Sequence, residues 1–192
     1  MRYLCFDTAL NEDYTLLQLR SHFPIQQCLF EGTKDAALWD VAPWLFQVQG
    51  PVFSLFAGDE LISLKRTVIF ESPLPLPELC SFLQDYIYHT EAGKEYFFRF
   101  WDGAVLAAYL ESCSPSQITL FFDKALSGII CDAGKNEEEL IHFFLSENGR
   151  LIKKVIKKKI LDGQETDAVT AEAMPANTPE TAEKKPRRFF LD

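Results

Sequence analysis

No stretch of this chain approaches the ~20 consecutive apolar residues that a membrane-spanning helix needs. Its nine glycines are scattered and form neither a phosphate-cradling loop nor a dinucleotide fingerprint. The three histidines, His22, His89 and His142, lie far apart, with no HExxH and no His/Cys cluster of metal-binding spacing. No serine occupies a nucleophile elbow, since Ser54 and Ser63 sit inside apolar runs. Five cysteines (Cys5, Cys28, Cys80, Cys113 and Cys131) are odd in number and contain no CxxC pair. That argues against a disulfide framework and a zinc knuckle and favours the reading of small buried apolar residues. The N-terminus meets Asp7 without any signal-like apolar run, so a cytoplasmic protein is expected. Neither a cofactor nor a metal is implied. A remote pair of carboxylates is the one catalytic arrangement that spacing leaves open.

What the chain does have is bulk. Hydrophobic residues are 47% of the 192, and seventeen phenylalanines against two methionines promise a large, well-defined core. The net charge of −9 is uneven. Residues 1–134 hold 8 basic and 17 acidic side chains, residues 135–161 hold 7 and 4, and residues 162–192 hold 4 and 7. An acidic main body argues against nucleic acid as its partner.

Short strands and helices alternate through the first two thirds. Arg2 to Phe6, Ile25 to Phe30, Trp44 to Val48 and Arg66 to Phe70 read as strands. Asn11 and Thr33 are candidate caps, and Pro77 suits the first turn of a helix carrying Leu79, Phe82, Leu83 and Tyr86. Tyr86 to His89, a loop over 90–94 and a buried strand over Glu95–Trp101 form a hairpin, after which Asp102 caps a helix. Ser114 and Gln117 form a capping box, with Pro115 at the first helical position. The alternation predicts an α/β layer structure, and the hairpin makes its sheet mixed. Beyond residue 134, Leu140, Ile141, Phe144 and Leu145, then Leu151, Ile152, Val155, Ile156, Ile160 and Leu161, fall in pairs. That pattern favours a helical hairpin, with a β-hairpin turning at Asn148-Gly149 as the alternative. The expected organisation is an α/β lobe over 1–123, a small and mainly helical lobe over 124–162, and a disordered tail over 163–192.

Ala36-Ala37-Leu38-Trp39-Asp40-Val41-Ala42-Pro43-Trp44-Leu45 resembles a segment of the DUF4123 family in which a small helix leads through a proline into a strand. Phe98-Arg99-Phe100-Trp101-Asp102 is similar to that family's most recognisable signature, and Ser114–Ile118 with Phe121-Phe122 resembles its closing helix. The resemblance spans about residues 3–123. Trp101 stands where the family usually has tyrosine, Gly103 where it has proline, and Asp123-Lys124 where it has Gly-Pro. Losing that proline should leave the helix start looser. The resemblance implies an adaptor chaperone of bacterial type VI secretion, without catalytic activity. Its partners would be a toxic effector and the valine-glycine repeat (VgrG) spike protein, with no nucleic acid.

Arg99, Trp101 and Asp102 are the signature residues, read as structural or partner-binding. Trp39, Trp44 and Trp101 are core residues unless exposed, when a tryptophan becomes a binding hot spot. Lys153, Lys154, Lys157 and Lys158, with Lys159, mark the polar face of a helix and a candidate partner surface. Arg187, Arg188, Phe189 and Phe190 form a basic-aromatic docking peptide on the tail. The competing readings are a small cytoplasmic enzyme with a carboxylate site and a nucleic-acid module using the lysine helix.

Overall fold

The computed structural model describes residues 1–133 and 136–163 and the backbone of 171–173. Its framework is an eight-stranded sheet. In chain order the strands are β1 (Arg2–Asp7), β2 (Gln26–Cys28), β3 (Pro43–Val48), β4 (Val68–Glu71), β7 (Gly128–Cys131), β8 (Glu139–Leu145), β9 (Leu151–Lys157) and β10 (Ala171–Ala173). In space the order is β10-β9-β8-β7-β4-β1-β3-β2. A separate two-stranded hairpin consists of β5 (Tyr88–Glu91) and β6 (Lys94–Phe97). The helices are α1 (Asp13–His22), α2 (Leu76–Gln84), α3 (Gly103–Ser112), α4 (Pro115–Phe122) and the single turn α5 (Lys158–Leu161).

The α/β class is as expected, but every ladder among the described residues is antiparallel, where a mixed sheet is predicted. The reason lies in the connection from β4 to β7. The chain leaves β4, runs through α2, the hairpin, α3 and α4, and returns beside β4 in the opposite direction. Parallel neighbours need a connection that carries the chain back to the end of the sheet from which the first strand started, and this one does not.

Period-two geometry divides the core between the two faces of the sheet. Tyr3, Cys5, Val68, Phe70, Ile129, Cys131, Ile141 and Phe143 pack with Leu79, Leu83, Leu106, Leu110, Ile118 and Phe121 from α2, α3 and α4. Leu4, Phe6, Phe46, Ile69, Ile130, Leu140 and Ile156 pack on the other side with Leu16 and Leu19 of α1, Phe23 and Val52. All five cysteines are free thiols buried in these layers.

The helical hairpin expected over 137–161 is instead the β8–β9 hairpin, paired from Glu139↔Lys157 to Leu145↔Leu151. Along β8 the apolar residues run together because both of its faces are covered, which erases the alternation of a half-buried strand. The loop decides the matter. Gly149 takes φ +70°, its N–H donates to Ser146 O at 2.9 Å, and Ser146 N–H donates to Arg150 O at 2.8 Å. This is a three-residue turn with a left-handed glycine, not a helix end. These strands join the same sheet as β1 and β4. In the tail, Ala171–Ala173 pairs with β9, contrary to a wholly structureless tail. Arg187, Arg188, Phe189 and Phe190 lie outside the described residues.

Candidate functional site

The aromatic run over 95–101 is not the buried strand that its composition predicts. Its first half is the exposed arm β6, and residues 98–102 turn away, with Phe100 N–H donating to Phe98 O and Asp102 N–H to Arg99 O. This turn still drives Phe98, Phe100 and Trp101 into the core. The Trp101 ring meets Phe30, Phe97 and Phe100 edge-on, with centroids 5.8, 5.4 and 5.2 Å away. Such edge contacts add to area burial, at about 0.5–1.5 kcal/mol each.

Arg99 and Asp102 neutralise charge at one end of the sheet. Arg99 Nη2 lies 2.7 Å from Asp7 Oδ2, and Asp7, at the end of β1, is buried. The other carboxylate oxygen of Asp7 accepts from Ala9 N–H at 3.0 Å. Asp102 Oδ1 accepts from Ala104 N–H at 3.0 Å and Val105 N–H at 3.3 Å, the helix cap expected of it, and takes Arg66 Nε at 2.9 Å. Gly103 corrects the looser helix start. Its N–H donates to Arg66 O at 2.7 Å, a bond proline lacks a donor to make. A Cβ at Gly103 would stand 2.4 Å from Asp132 O and 2.8 Å from Thr67 O. Glycine therefore lets the start of α3 rest on the backbone where β4 begins and β7 ends.

The loop between β2 and β3 leans on this corner and is held along its length. Gln84 Nε2 donates to Leu29 O (3.0 Å) and Glu31 O (2.8 Å). Tyr88 Oη donates to Asp35 Oδ2 at 2.7 Å, and Lys34 lies 4.3 Å over the Tyr88 ring while pairing with Glu95. Burial first, and then the Asp35 bond, raise the Tyr88 phenol above its ordinary pKa. Thr8 Oγ1 donates to Ala42 O at 2.8 Å, and Trp44 Nε1 to Trp39 O at 3.4 Å. Between these fixings the loop presents Leu38, Trp39 and Val41 to solvent, 48, 56 and 46% exposed. Three large apolar side chains within four residues, on a braced loop, form the candidate interaction site. The three tryptophans thus divide. Trp101 is core, Trp44 is half-buried beneath the Arg20 guanidinium at 4.9 Å, and Trp39 is exposed.

The lysine row is not one polar helix face. Alternation along β9 puts Lys153 and Lys157 on one face of the sheet and Lys154 on the other. Lys153 Nζ bonds Glu111 Oε1 of α3 at 2.5 Å. Lys158, in α5, reaches Asp132 Oδ2 at 3.3 Å and lies 5.1 Å over the Phe53 ring.

Sequence reasoning missed one charged cluster, Glu71 with Arg2 and His142. Arg2 Nε is 3.1 Å from Glu71 Oε1, and His142 Nε2 is 3.3 Å from Glu71 Oε2. The close approach of His142 is the main cause that holds the Glu71 carboxyl below its ordinary pKa, against burial. Gly128 makes room, since a Cβ there would lie 2.5 Å from Glu71 Oε2 and 2.8 Å from His142 Nε2. Only strand register brings residues 71 and 142 together, so no local signal reveals them. The thiols offer no ready nucleophile in this setting, because burial raises each of them, Cys80 to about 12.

Among the described residues no helix is long and apolar enough to cross a membrane. A family model described as "Domain of unknown function (DUF4123)" matches residues 2–120. No curated protein and no solved structure matches the chain.

Proposed function

The chain belongs to the DUF4123 family, and from that premise we propose that it is a non-catalytic, cytoplasmic adaptor chaperone of bacterial type VI secretion. In this reading it binds a toxic effector and helps load it onto the VgrG spike protein. The observation that carries the reading is the exposed Leu38-Trp39-Val41 ridge, which lies inside the family-matched segment. A large aromatic on a pre-ordered loop loses little conformational freedom on binding, which is the setting of an interface anchor. The signature residues then act from behind. Trp101 supports Phe30 at the root of the loop, and the Arg99–Asp7 pair fixes the turn over 98–102 against the end of β1. Trp39, with Leu38 and Val41, would be the contact itself.

The test is co-expression with the effector and spike protein encoded beside it, followed by size-exclusion chromatography. The expected result is co-migration with the effector that Trp39→Asp abolishes while the variant's melting temperature holds. Absence of co-migration with either protein would sink the adaptor reading.

A further inference from the structure

We propose that the segment Lys184-Lys185-Pro186-Arg187-Arg188-Phe189-Phe190-Leu191 docks on this chain's own surface, where the ends of α2 and α4 meet. The two helices finish together: Tyr86 Oη, just past α2, donates to Leu120 O near the end of α4 at 3.1 Å. Glu78, Phe82 and Tyr86 recur every four residues, which sets them along one face of α2 and the turn that follows it. The Phe82 and Tyr86 rings meet at 5.3 Å, and the Tyr86 ring meets core Phe121 at 4.9 Å. Phe82 and Tyr86 are half-buried. Leu120, 68% exposed, is the most exposed large apolar side chain among the described residues.

The rim of this surface is acidic. Asp85 and Asp123 directly follow α2 and α4, and both are exposed, as is Glu78. Burial first, and then the charges of Asp123 and Asp85, raise the Tyr86 phenol above its ordinary pKa, so both carboxylates act on this one ring. Among the described residues none of the three acids is in an ion pair, and Lys124 is the one cation beside them in the chain. The C-terminal ends of two helices add partial negative charge at the same place. Residues 184–191 carry the complementary chemistry, four cations and no acid, ending in Phe-Phe-Leu. A guanidinium gains both from a carboxylate and from an aromatic face, so Arg187 and Arg188 match Asp85, Asp123 and the Tyr86 ring. Phe189 and Phe190 then cover Leu120 and Phe82. The chain is long enough to reach. α2 lies over β2 and β3, and β2 is seven strand steps from β10, about 34 Å at about 4.8 Å each. The fourteen residues from Ala173 to Arg187 span up to about 46 Å when extended. This surface shares no residue with the Leu38-Trp39-Val41 ridge, so docking here is independent of the adaptor reading.

The test compares the full chain with a chain ending at residue 183, using a labelled peptide of residues 184–191 and fluorescence anisotropy. The shortened chain is also made with Leu120→Lys and, separately, with Asp85→Lys, both at exposed positions, and thermal melting confirms that every protein is folded. The shortened chain should bind the peptide, and each substitution should weaken binding about tenfold or more. A tethered copy acts at an effective concentration of about a millimolar, so a peptide of about 0.1 mM affinity should bind the full chain about tenfold more weakly than the shortened one. No binding to the shortened chain, or binding that neither substitution weakens, would overturn the proposal. Equal affinity for the full and shortened chains would leave this surface to a basic segment of a partner protein, and would overturn docking by the chain's own segment. Self-association of the full chain alone as its concentration rises would place the segment on a second copy and overturn docking within one chain.

Discussion

At the scale of single residues, the family signature is a set of charge and space constraints. Arg99→Ala leaves buried Asp7 without its counter-charge. A fully buried pair broken in this way costs about 3–5 kcal/mol, and because Arg99 reaches solvent the expected loss is nearer 2 kcal/mol, read by urea denaturation. Gly103→Ala puts a methyl against the Asp132 and Thr67 carbonyls and should cost about 3 kcal/mol. Gly103→Pro should be worse, since it also removes the donor to Arg66 O. Glu71 makes stability depend on pH. Its folded pKa lies below the unfolded value, so its stabilisation is present above the unfolded pKa and is lost as pH falls through the folded one. Glu71→Gln should therefore destabilise the protein at pH 7, and the difference between variant and parent should close below about pH 4. A difference that persists unchanged at pH 3 would mean that Glu71 acts through packing instead of charge. Of these residues, Asp102 was legible as a cap from its place before an apolar helix. The partner of Arg99 was not, because Asp7 is 92 positions away.

Among the elements, those set by local chemistry follow the sequence closely. The capping box at Ser114 and Gln117 forms with Pro115 behind it, and α2 begins around Pro77 as the proline dictates. The β5–β6 hairpin is also legible, though its turn is tighter than a five-residue loop. Glu91 pairs with Lys94, and Ala92 and Gly93 take φ +50° and +76°. Ala92 holds a left-handed conformation that asparagine tolerates better. Ala92→Asn should stabilise the hairpin by about 0.5–1 kcal/mol, seen as slower exchange at the β5 and β6 amides. Elements set by tertiary cover are where sequence reasoning fails. β8 is covered on both faces, and the lysines of β9 lie on opposite faces of that strand, which mimics the paired spacing of a helix. β7 (Gly-Ile-Ile-Cys) is too short to show any period and is recognisable only from its place between β4 and β8.

For the whole molecule, one antiparallel sheet is the framework, and the Trp39 ridge lies toward one of its margins. The β2–β3 loop with Trp39 stands near one edge strand, and β9 with its short β10 forms the other edge. The sequence shows the bulky core, the α/β class and the signature. It is silent on which tryptophan faces solvent, because exposure depends on the length and bracing of a loop tied to residues 8, 84, 88 and 95. The measurement that tests the adaptor reading most directly is a titration of the purified effector encoded beside this chain. The unmodified protein and Trp39→Ala would be compared under identical salt. Saturable binding by the unmodified protein, weakened about 30-fold or more in Trp39→Ala with no change in melting temperature, is the expected result, corresponding to a hot-spot loss of about 2 kcal/mol. Equal affinity for both proteins would remove the Trp39 ridge from the interface, and no binding by the unmodified protein would contradict the adaptor function itself.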